Sequence, residues 1–237
     1  MRRFLISLLC GFIVTPCAMA SDLAEDTSDP LFLQAQRQVL SVTDLSYFDN
    51  GLRLGQYLSY GMMDNFVIGA NVHYQRDFDG RENGFSSIDL GGVYRIGDAD
   101  EESQKIIYDA LFGLKFGGSH HVRTPDYADS TYYAGLRFGR QYAGVTLSGT
   151  IKSTWVFDDE RGMAFIDFVP EIYFRVAPDW RVGANVSLRK ATEPHYDEES
   201  IGMKIVRQYG RTQYVGHVDY AFEAESINAG ARVNILF

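Results

Sequence analysis

Hydrophobic residues recur at every second position along most of this 237-residue chain. In residues 180–188, for example, the even positions hold Trp, Val, Ala, Val and Leu, and the odd positions hold Arg, Gly, Asn and Ser. A period of two is that of a β-strand with one apolar and one polar face. No helical period of useful length follows residue 45, and no apolar run approaches the length of a membrane helix. The chain is therefore predicted to be all-β.

Ten segments show this alternation clearly, and clusters of turn-forming residues separate them. They are residues 52–62, 66–74, 88–96, 106–116, 132–138, 145–157, 164–176, 180–188, 212–222 and 227–237. Because neither a linker nor a second composition interrupts the series, we expect a single domain over residues 39–237. Residues 21–38 do not alternate and are left as an unassigned lead-in.

The first twenty residues have the pattern of a secretory signal peptide. Arg2 and Arg3 form a basic start, residues 4–14 are apolar, and Ala18 and Ala20 form a small-residue cleavage site. Eleven apolar residues are too few for a membrane helix, which needs about 20. Residues 1–20 are predicted to be removed after export, and with them go both cysteines of the chain, at positions 10 and 17.

Overall charge excludes one class of partner. The chain has 22 Lys and Arg against 31 Asp and Glu, a net charge of -9, and no basic run. Nucleic acid is therefore not expected as a partner, because its binding needs a basic patch or stripe.

The types of residue on the two faces of the predicted strands distinguish a membrane barrel from a soluble barrel or sandwich. The apolar face places Tyr, Trp and Phe near segment ends, as in the aromatic girdles of membrane barrels. The polar face mixes charged residues with Gly, Ser, Thr and Asn, which suits a lumen. In lipid, the backbone must satisfy its own hydrogen bonds, so repeated amphipathic strands predict a closed antiparallel transmembrane β-barrel. The predicted lumen-lining residues are Arg53, Asp89, Arg95, Asp109, Lys115, Arg137, Lys152, Asp167, Glu171, Arg175, Arg181, Arg189, His217, Asp219 and Arg232.

The last strand ends at Phe237, with an apolar residue at every second place before it. With this last strand, the export signal, the absence of cysteine from residues 21–237 and the alternating strands, the chain resembles the outer-membrane β-barrel proteins of Gram-negative bacteria. Small porin-like and transporter-like proteins are among them. The resemblance implies location in the cell outer membrane, contact with lipid and lipopolysaccharide, and recognition of Phe237 by the barrel-assembly machinery.

The number of strands follows from parity and loop length. An export signal leaves the N-terminus in the periplasm, where the last strand also ends, so the number should be even. Ten strands would put the long segments 119–130 and 192–210 on the periplasmic side, where turns are short. Adding a strand at 39–48 and separating 201–208 from 211–222 gives twelve and moves these segments outside. Twelve is the prediction and ten the alternative, although residues 39–48 alternate poorly.

Three functional hypotheses follow. The predicted lumen holds nine basic and five acidic residues besides His217, which favours a narrow passive channel for small solutes, with anions preferred. The alternative is a non-conducting structural or surface-recognition barrel held shut by its ion pairs. An outer-membrane hydrolase is the weakest hypothesis, because no spacing joins the acidic and histidine residues of the loops into a triad. No enzyme activity, catalytic residue, metal site or cofactor is expected.

Overall fold

The computed structural model describes residues 26–48, 51–78, 83–85, 88–96, 106–117, 130–142, 144–157 and 163–237. The predicted signal peptide and residues 21–25 lie outside the described residues. The described residues form thirteen β-strands and a 3-10 turn at Pro194–Tyr196. The strands are β1 (Val39–Phe48), β2 (Gly51–Met63), β3 (Phe66–Asp77), β4 (Asn83–Phe85), β5 (Ile88–Arg95), β6 (Ile107–Phe116), β7 (Thr131–Tyr142), β8 (Val145–Val156), β9 (Ala164–Ala177), β10 (Trp180–Ala191), β11 (Glu198–Tyr209), β12 (Thr212–Ala221) and β13 (Ser226–Leu236).

Twelve of these strands close into one antiparallel ring. Each pairs with its neighbours along the chain, β3 pairs directly with β5, and β1 closes the ring by pairing with β13 from Leu40↔Leu236 to Phe48↔Asn228. The short β4 pairs with the end of β3 and is not part of the ring. The prediction of a closed twelve-stranded barrel is therefore confirmed, including the strand at 39–48 and the turn between β11 and β12.

The two ends of the barrel differ. At the turn end, residues 64–65, 178–179 and 210–211 connect strands tightly. The first residue of β1 and the last residue of β13 lie at the same end. The opposite loop end carries the connections that follow β1, β3, β6, β8, β10 and β12. Residues 118–129 lie outside the described residues, but the strand ends on either side of them are at the loop end, as is the segment 192–197, and this is what twelve strands require.

Large apolar side chains cover the outside of the ring, where they are exposed. They include Leu54, Leu58, Leu90, Leu136, Ile151, Ile172 and Ile205. Aromatic residues gather near strand ends on the same face, and Tyr132 stacks on Trp155 with ring centroids 4.9 Å apart. No helix among the described residues is long and apolar enough to cross a bilayer.

The poor alternation of β1 has a structural cause on each face. On the outer face, Thr43 donates a hydrogen bond to Gln56 Oε1 (2.8 Å), and Gln56 Nε2 donates to Ser41 Oγ (3.1 Å). These polar groups satisfy one another, so they can lie on an apolar surface. On the inner face, Leu40 is buried against the residues that precede the barrel.

Candidate functional site: the lumen and the N-terminal segment

The residues predicted to line the lumen lie on the inner side of the strands. Among these residues, Arg175 is exposed, and it is paired with Arg181 across strands β9 and β10 at the turn end. Most of the charged groups are gathered into a few ion-paired clusters. These clusters bring together residues that are distant in the sequence.

Asp109 is the centre of one cluster near the turn end. Its side chain is 0% exposed and accepts hydrogen bonds from Arg95 Nε (2.8 Å) and from Arg137 Nε (2.8 Å) and Nη2 (2.5 Å). Asp109 stands opposite Arg95 on β5 and opposite Arg137 on β7, so strand register alone brings both guanidinium groups to it. One buried carboxylate therefore holds two cations of the wall.

Asp167 organises a second cluster towards the loop end. It accepts a hydrogen bond from Arg189 Nε (2.7 Å) and lies 3.4 Å from Lys152 Nζ. The Arg189 guanidinium also lies over the ring of Phe165, 5.1 Å from its centroid. Charged groups on three adjacent strands are thus joined across β9.

Two further ion pairs include Lys204 and Asp44, which are not among the predicted lumen-lining residues. Lys204 Nζ lies 2.6 Å from Glu171 Oε1, and Arg232 Nε donates to Asp44 Oδ2 (3.2 Å). His217 Nδ1 lies 3.8 Å from the same Asp44 oxygen. Lys204 was detectable in the sequence, because it alternates with Gly202, but Asp44 was obscured by the weak pattern of β1.

The largest departure from the sequence pattern is the N-terminal segment, residues 26–38. It crosses the turn end of the barrel from the β9–β13 side to β2 before entering β1. Lys204 Nζ donates to the Ser28 carbonyl (2.8 Å), Thr146 Oγ1 donates to Asp29 Oδ2 (2.5 Å), and Gln34 Nε2 donates to the Ser59 carbonyl (3.2 Å). Residues 26–38 of the lead-in that the alternation left unassigned therefore lie in the lumen.

The Asp109 cluster also holds this segment. Arg95 Nη2 donates to the carbonyl oxygen of Leu31 (2.6 Å), and Arg137 Nη2 donates to that of Phe32 (3.3 Å). A charged donor strengthens a hydrogen bond, and these two are already oriented by Asp109. The wall thus presents fixed cationic donors to the backbone of the N-terminal segment.

Asp26 is held by a group of side chains that we call the socket: Tyr173, Arg181 and Gln213. Asp26 Oδ1 accepts hydrogen bonds from the Tyr173 hydroxyl (3.0 Å) and Gln213 Nε2 (2.8 Å), and Oδ2 accepts one from Arg181 Nε (3.0 Å). Thr27 and Ser28 donate from their hydroxyl groups to Gln213 Oε1 at 2.8 and 2.6 Å. Both the oxygen and the nitrogen of the Gln213 amide therefore form hydrogen bonds with the N-terminal segment.

Apolar residues on the inner face at the turn end surround this segment. Leu31 of the segment is only 1% exposed. The wall residues form what we call the apolar collar: Leu40, Val67, Ile107, Val206, Val215 and Leu236, all buried. Leu236, which interrupts the alternation of the last strand, belongs to this collar. Apolar residues that face inward at the turn end of a strand, as Leu236 does, were the signal in the sequence that another segment packs inside the barrel.

Two cavities adjoin the N-terminal segment. The larger, about 510 Å³, reaches from Thr27 and Ser28 to Arg53 and Asn228, and its wall includes His73 and His217. The smaller, about 200 Å³, lies along residues 27–34. Thr27, Leu40 and Tyr57 line both cavities, so the segment separates two parts of one interior.

The interior is closer to charge balance than the sequence predicts. The structure adds Lys204 to the basic groups and Asp26, Asp29 and Asp44 to the acidic groups. In the described part of the chain, no group of three or more His, Cys, Asp or Glu side chains is arranged to hold a metal ion.

Comparisons with known proteins identify the fold. No protein-family model matches the sequence, and no curated protein matches it significantly. Among solved structures, KdgM porin is similar with a TM-score of 0.64 and 11% identity, over 83% of this chain and 98% of KdgM. NanC porin has a TM-score of 0.63 and 8% identity over the same shares. A second KdgM structure contains disordered oligogalacturonate.

The COG4313 outer membrane channel from Pseudomonas putida F1 is similar over 90% of this chain and 99% of its own, with a TM-score of 0.60 and 10% identity. At such identities the likeness concerns architecture. The resemblance expected from the sequence is confirmed at that level: this chain has the fold of outer-membrane β-barrel porins.

Proposed function

We propose that this protein is a passive channel of the outer membrane for small solutes, closed at rest by its N-terminal segment. The observation that carries the proposal is the cavity of about 510 Å³, which has polar and charged walls inside a barrel with an apolar exterior. A lumen of this kind admits water and small polar molecules, whereas the exterior requires lipid. The turn end is then periplasmic and the loop end faces outside.

Anions are the preferred solutes in this proposal, by a narrow margin. Arg53, Lys204 and Arg232 line the larger cavity, but Asp44 and Asp219 line it as well. We therefore expect a weak anion preference, measured as the reversal potential across a salt gradient. Oligogalacturonate, present in one KdgM structure, is a polyanion and serves as a test solute. A clear cation preference would contradict this part of the proposal.

A reversible tether tests closure by the N-terminal segment. Asn234 Nδ2 donates to Ser28 Oγ at 3.1 Å, so the pair Ser28→Cys and Asn234→Cys puts thiols on two neighbouring side chains. Residues 21–237 contain no other cysteine. We expect intermittent planar-bilayer current in the reduced double variant, in which the segment can move away from the wall, and at least a tenfold smaller current after oxidation.

Each single-cysteine variant is the control for the tether and should respond to neither oxidant nor reductant. A current unaffected by the tether would show that the segment does not close the pore. No current from the reduced protein, or from Leu31→Asn, which weakens packing of the segment in the apolar collar, would contradict a channel altogether.

The second candidate is a non-conducting barrel with a structural or recognition role. The ion pairs of Asp109 and Asp167 favour it, because they join opposite charges across neighbouring strands and fill space that a wide pore would need. The absence of current in every variant above is its expected outcome. We assign no catalytic residue to either candidate.

Export and assembly complete the proposal. Residues 1–20 act as the cleaved signal peptide, the outer face contacts lipid and lipopolysaccharide, and the strand ending at Phe237 is read by the barrel-assembly machinery. The exposed Phe237 side chain and its position beside Val39, where the ring closes, support this role.

A further inference from the structure

The socket around Asp26 is built by the barrel wall. Arg181, Gln213 and Tyr173 lie on β10, β12 and β9 and are 3%, 1% and 2% exposed. Other wall groups also orient the guanidinium: Arg181 Nη1 donates to the Pro178 carbonyl (2.9 Å) and Nη2 to Gln208 Oε1 (3.5 Å). The barrel wall therefore orients Arg181 independently of the N-terminal segment.

Movement of the segment would take from the Arg181 guanidinium the carboxylate with which it pairs among the described residues. Asp26 is the carboxylate that pairs with Arg181, at 3.0 Å. A buried charge that loses its partner is strongly destabilised, as is a buried hydroxyl or amide that loses its hydrogen bond. Opening thus carries an energetic cost at the socket unless another anion enters it.

The donors match a carboxylate in particular. Two hydrogen bonds converge on one oxygen of Asp26 and one from Arg181 reaches the other. A free carboxylate can reproduce this pattern, and charge-assisted bonds of this type are the strong ones. A chloride ion is a single atom, so it cannot present two separate acceptor atoms to these donors.

We propose that Tyr173, Arg181 and Gln213 form a carboxylate-binding subsite, which Asp26 occupies when the segment is closed and a small carboxylate solute occupies when it opens. The proposal rests on the proposed channel function, because it gives the channel a solute that opens it. By linkage, the solute favours the open segment to the same degree as opening favours the solute.

Chemical rescue tests the subsite directly. The full chain with Asp26→Ala, refolded in detergent, lacks the internal carboxylate, and its melting temperature should fall below that of the unmodified protein. Sodium acetate should raise it again in a saturable way, whereas sodium chloride at equal ionic strength should not. Equal effects of the two salts would overturn the proposal.

Two further variants test whether acetate stabilises the protein by binding at the socket. In the Asp26→Ala background, Arg181→Gln should abolish the difference between acetate and chloride, and Tyr173→Phe, which removes one hydroxyl, should weaken acetate several-fold. Arg189→Gln is the matched control, since Arg189 pairs with Asp167 elsewhere in the lumen. Rescue that survives both socket variants would place acetate elsewhere and overturn the assignment.

Thiol labelling tests the link to opening without measuring current. In Ser28→Cys with Asp26 intact, a charged thiol reagent should react several-fold faster in acetate than in chloride. This readout works in a non-conducting barrel, so the channel can fail while the subsite stands. A conducting barrel with equal labelling in both salts would show that the carboxylate does not release the segment.

Discussion

Asp109 illustrates what a single buried carboxylate does in this lumen. It pairs with both Arg95 and Arg137, and both of these side chains also donate to carbonyl groups of the N-terminal segment. The residue therefore contributes to the stability of the wall and to the closed position of the segment. Its register partners are set by the pairing of β5, β6 and β7.

Replacement of Asp109 by Asn should be strongly destabilising. The amide keeps the size of the side chain but leaves two guanidinium groups without their carboxylate, which costs about 3–5 kcal/mol for a buried pair. Urea unfolding of the barrel from lipid vesicles measures the change. The control is Lys190→Gln, which removes an exposed partner of Asp197 and should have little effect. Equal stability of the two variants would contradict the role of Asp109.

At the loop end, Asp197 predicts a local pH dependence. The backbone N–H of Ala191 and the Lys190 ammonium lower the pKa of Asp197. Since the folded pKa lies below the unfolded one, the carboxylate stabilises the loop above the ordinary aspartate pKa and loses this effect as pH falls through the lowered value. The hydrogen-exchange protection of the Ala191 amide should fall in that range. In Asp197→Asn, protection should be reduced at neutral pH and should not change in this window.

At the scale of elements, the N-terminal segment lies inside the ring of twelve strands and lines the lumen together with them. It enters β1 beside Gly61, where Arg37 N–H donates to the Gly61 carbonyl (2.7 Å) and Gly61 N–H donates to that of Gln38 (2.9 Å). A Cβ atom at Gly61 would stand 2.0 Å from the Ala35 carbonyl oxygen. Glycine is thus required where the segment passes the wall.

Gly61→Ala should loosen the segment without opening the barrel. Such an overlap costs typically 1–3 kcal/mol, so labelling of a cysteine at position 28 should accelerate about tenfold. Gly216→Ala is the matched control, because its Cβ would meet only Ile205 Cγ2 at an ordinary 3.5 Å. Equal labelling in both variants would show that the wall at Gly61 does not hold the segment.

At the scale of the whole molecule, the barrel is an apolar surface around a polar interior. Leu136, near the middle of β7, is 50% exposed on the outer face, and Tyr142 lies at the turn end of the same strand. In water such a surface would aggregate, whereas in a bilayer it is solvated.

Arginine substitution along β7 tests this location. Leu136→Arg should cost about 2–4 kcal/mol in lipid vesicles, because it places a charge near the bilayer midplane, and Tyr142→Arg about 0–1 kcal/mol near the interface. Urea titration of both variants gives the two values. A surface in water would accept either arginine with little change, so two small and equal costs would contradict a membrane barrel.

The closing strand gives a prediction about assembly. Phe237 and Tyr209 are both 62% exposed aromatic residues at the turn end, but only Phe237 ends the chain. Phe237→Ala should lower the amount of barrel in the outer membrane several-fold and leave the stability of the refolded protein nearly unchanged. Tyr209→Ala should affect neither quantity strongly. Similar membrane levels for the two variants would contradict a role of Phe237 as an assembly signal.

Most of the barrel was predictable because its pattern is local. Alternation has a fixed period of two, so one strand is enough to reveal both faces. Strand ends were less predictable: β7 continues to Tyr142 and β10 to Ala191, beyond the segments predicted from alternation. There the wall carries Arg140 and Lys190 on its outer side, which interrupts the apolar pattern.

The sequence alone determined the all-β class, the closed ring and the twelve strands, since each depends on periodicity, parity or loop length. Only the tertiary structure decided that residues 26–38 cross the lumen, that Asp26 occupies the socket and that Asp109 joins two arginines. The physical reason is distance along the chain. Asp26 and Arg181 are 155 residues apart, and no local period records a contact that exists only once the ring has closed.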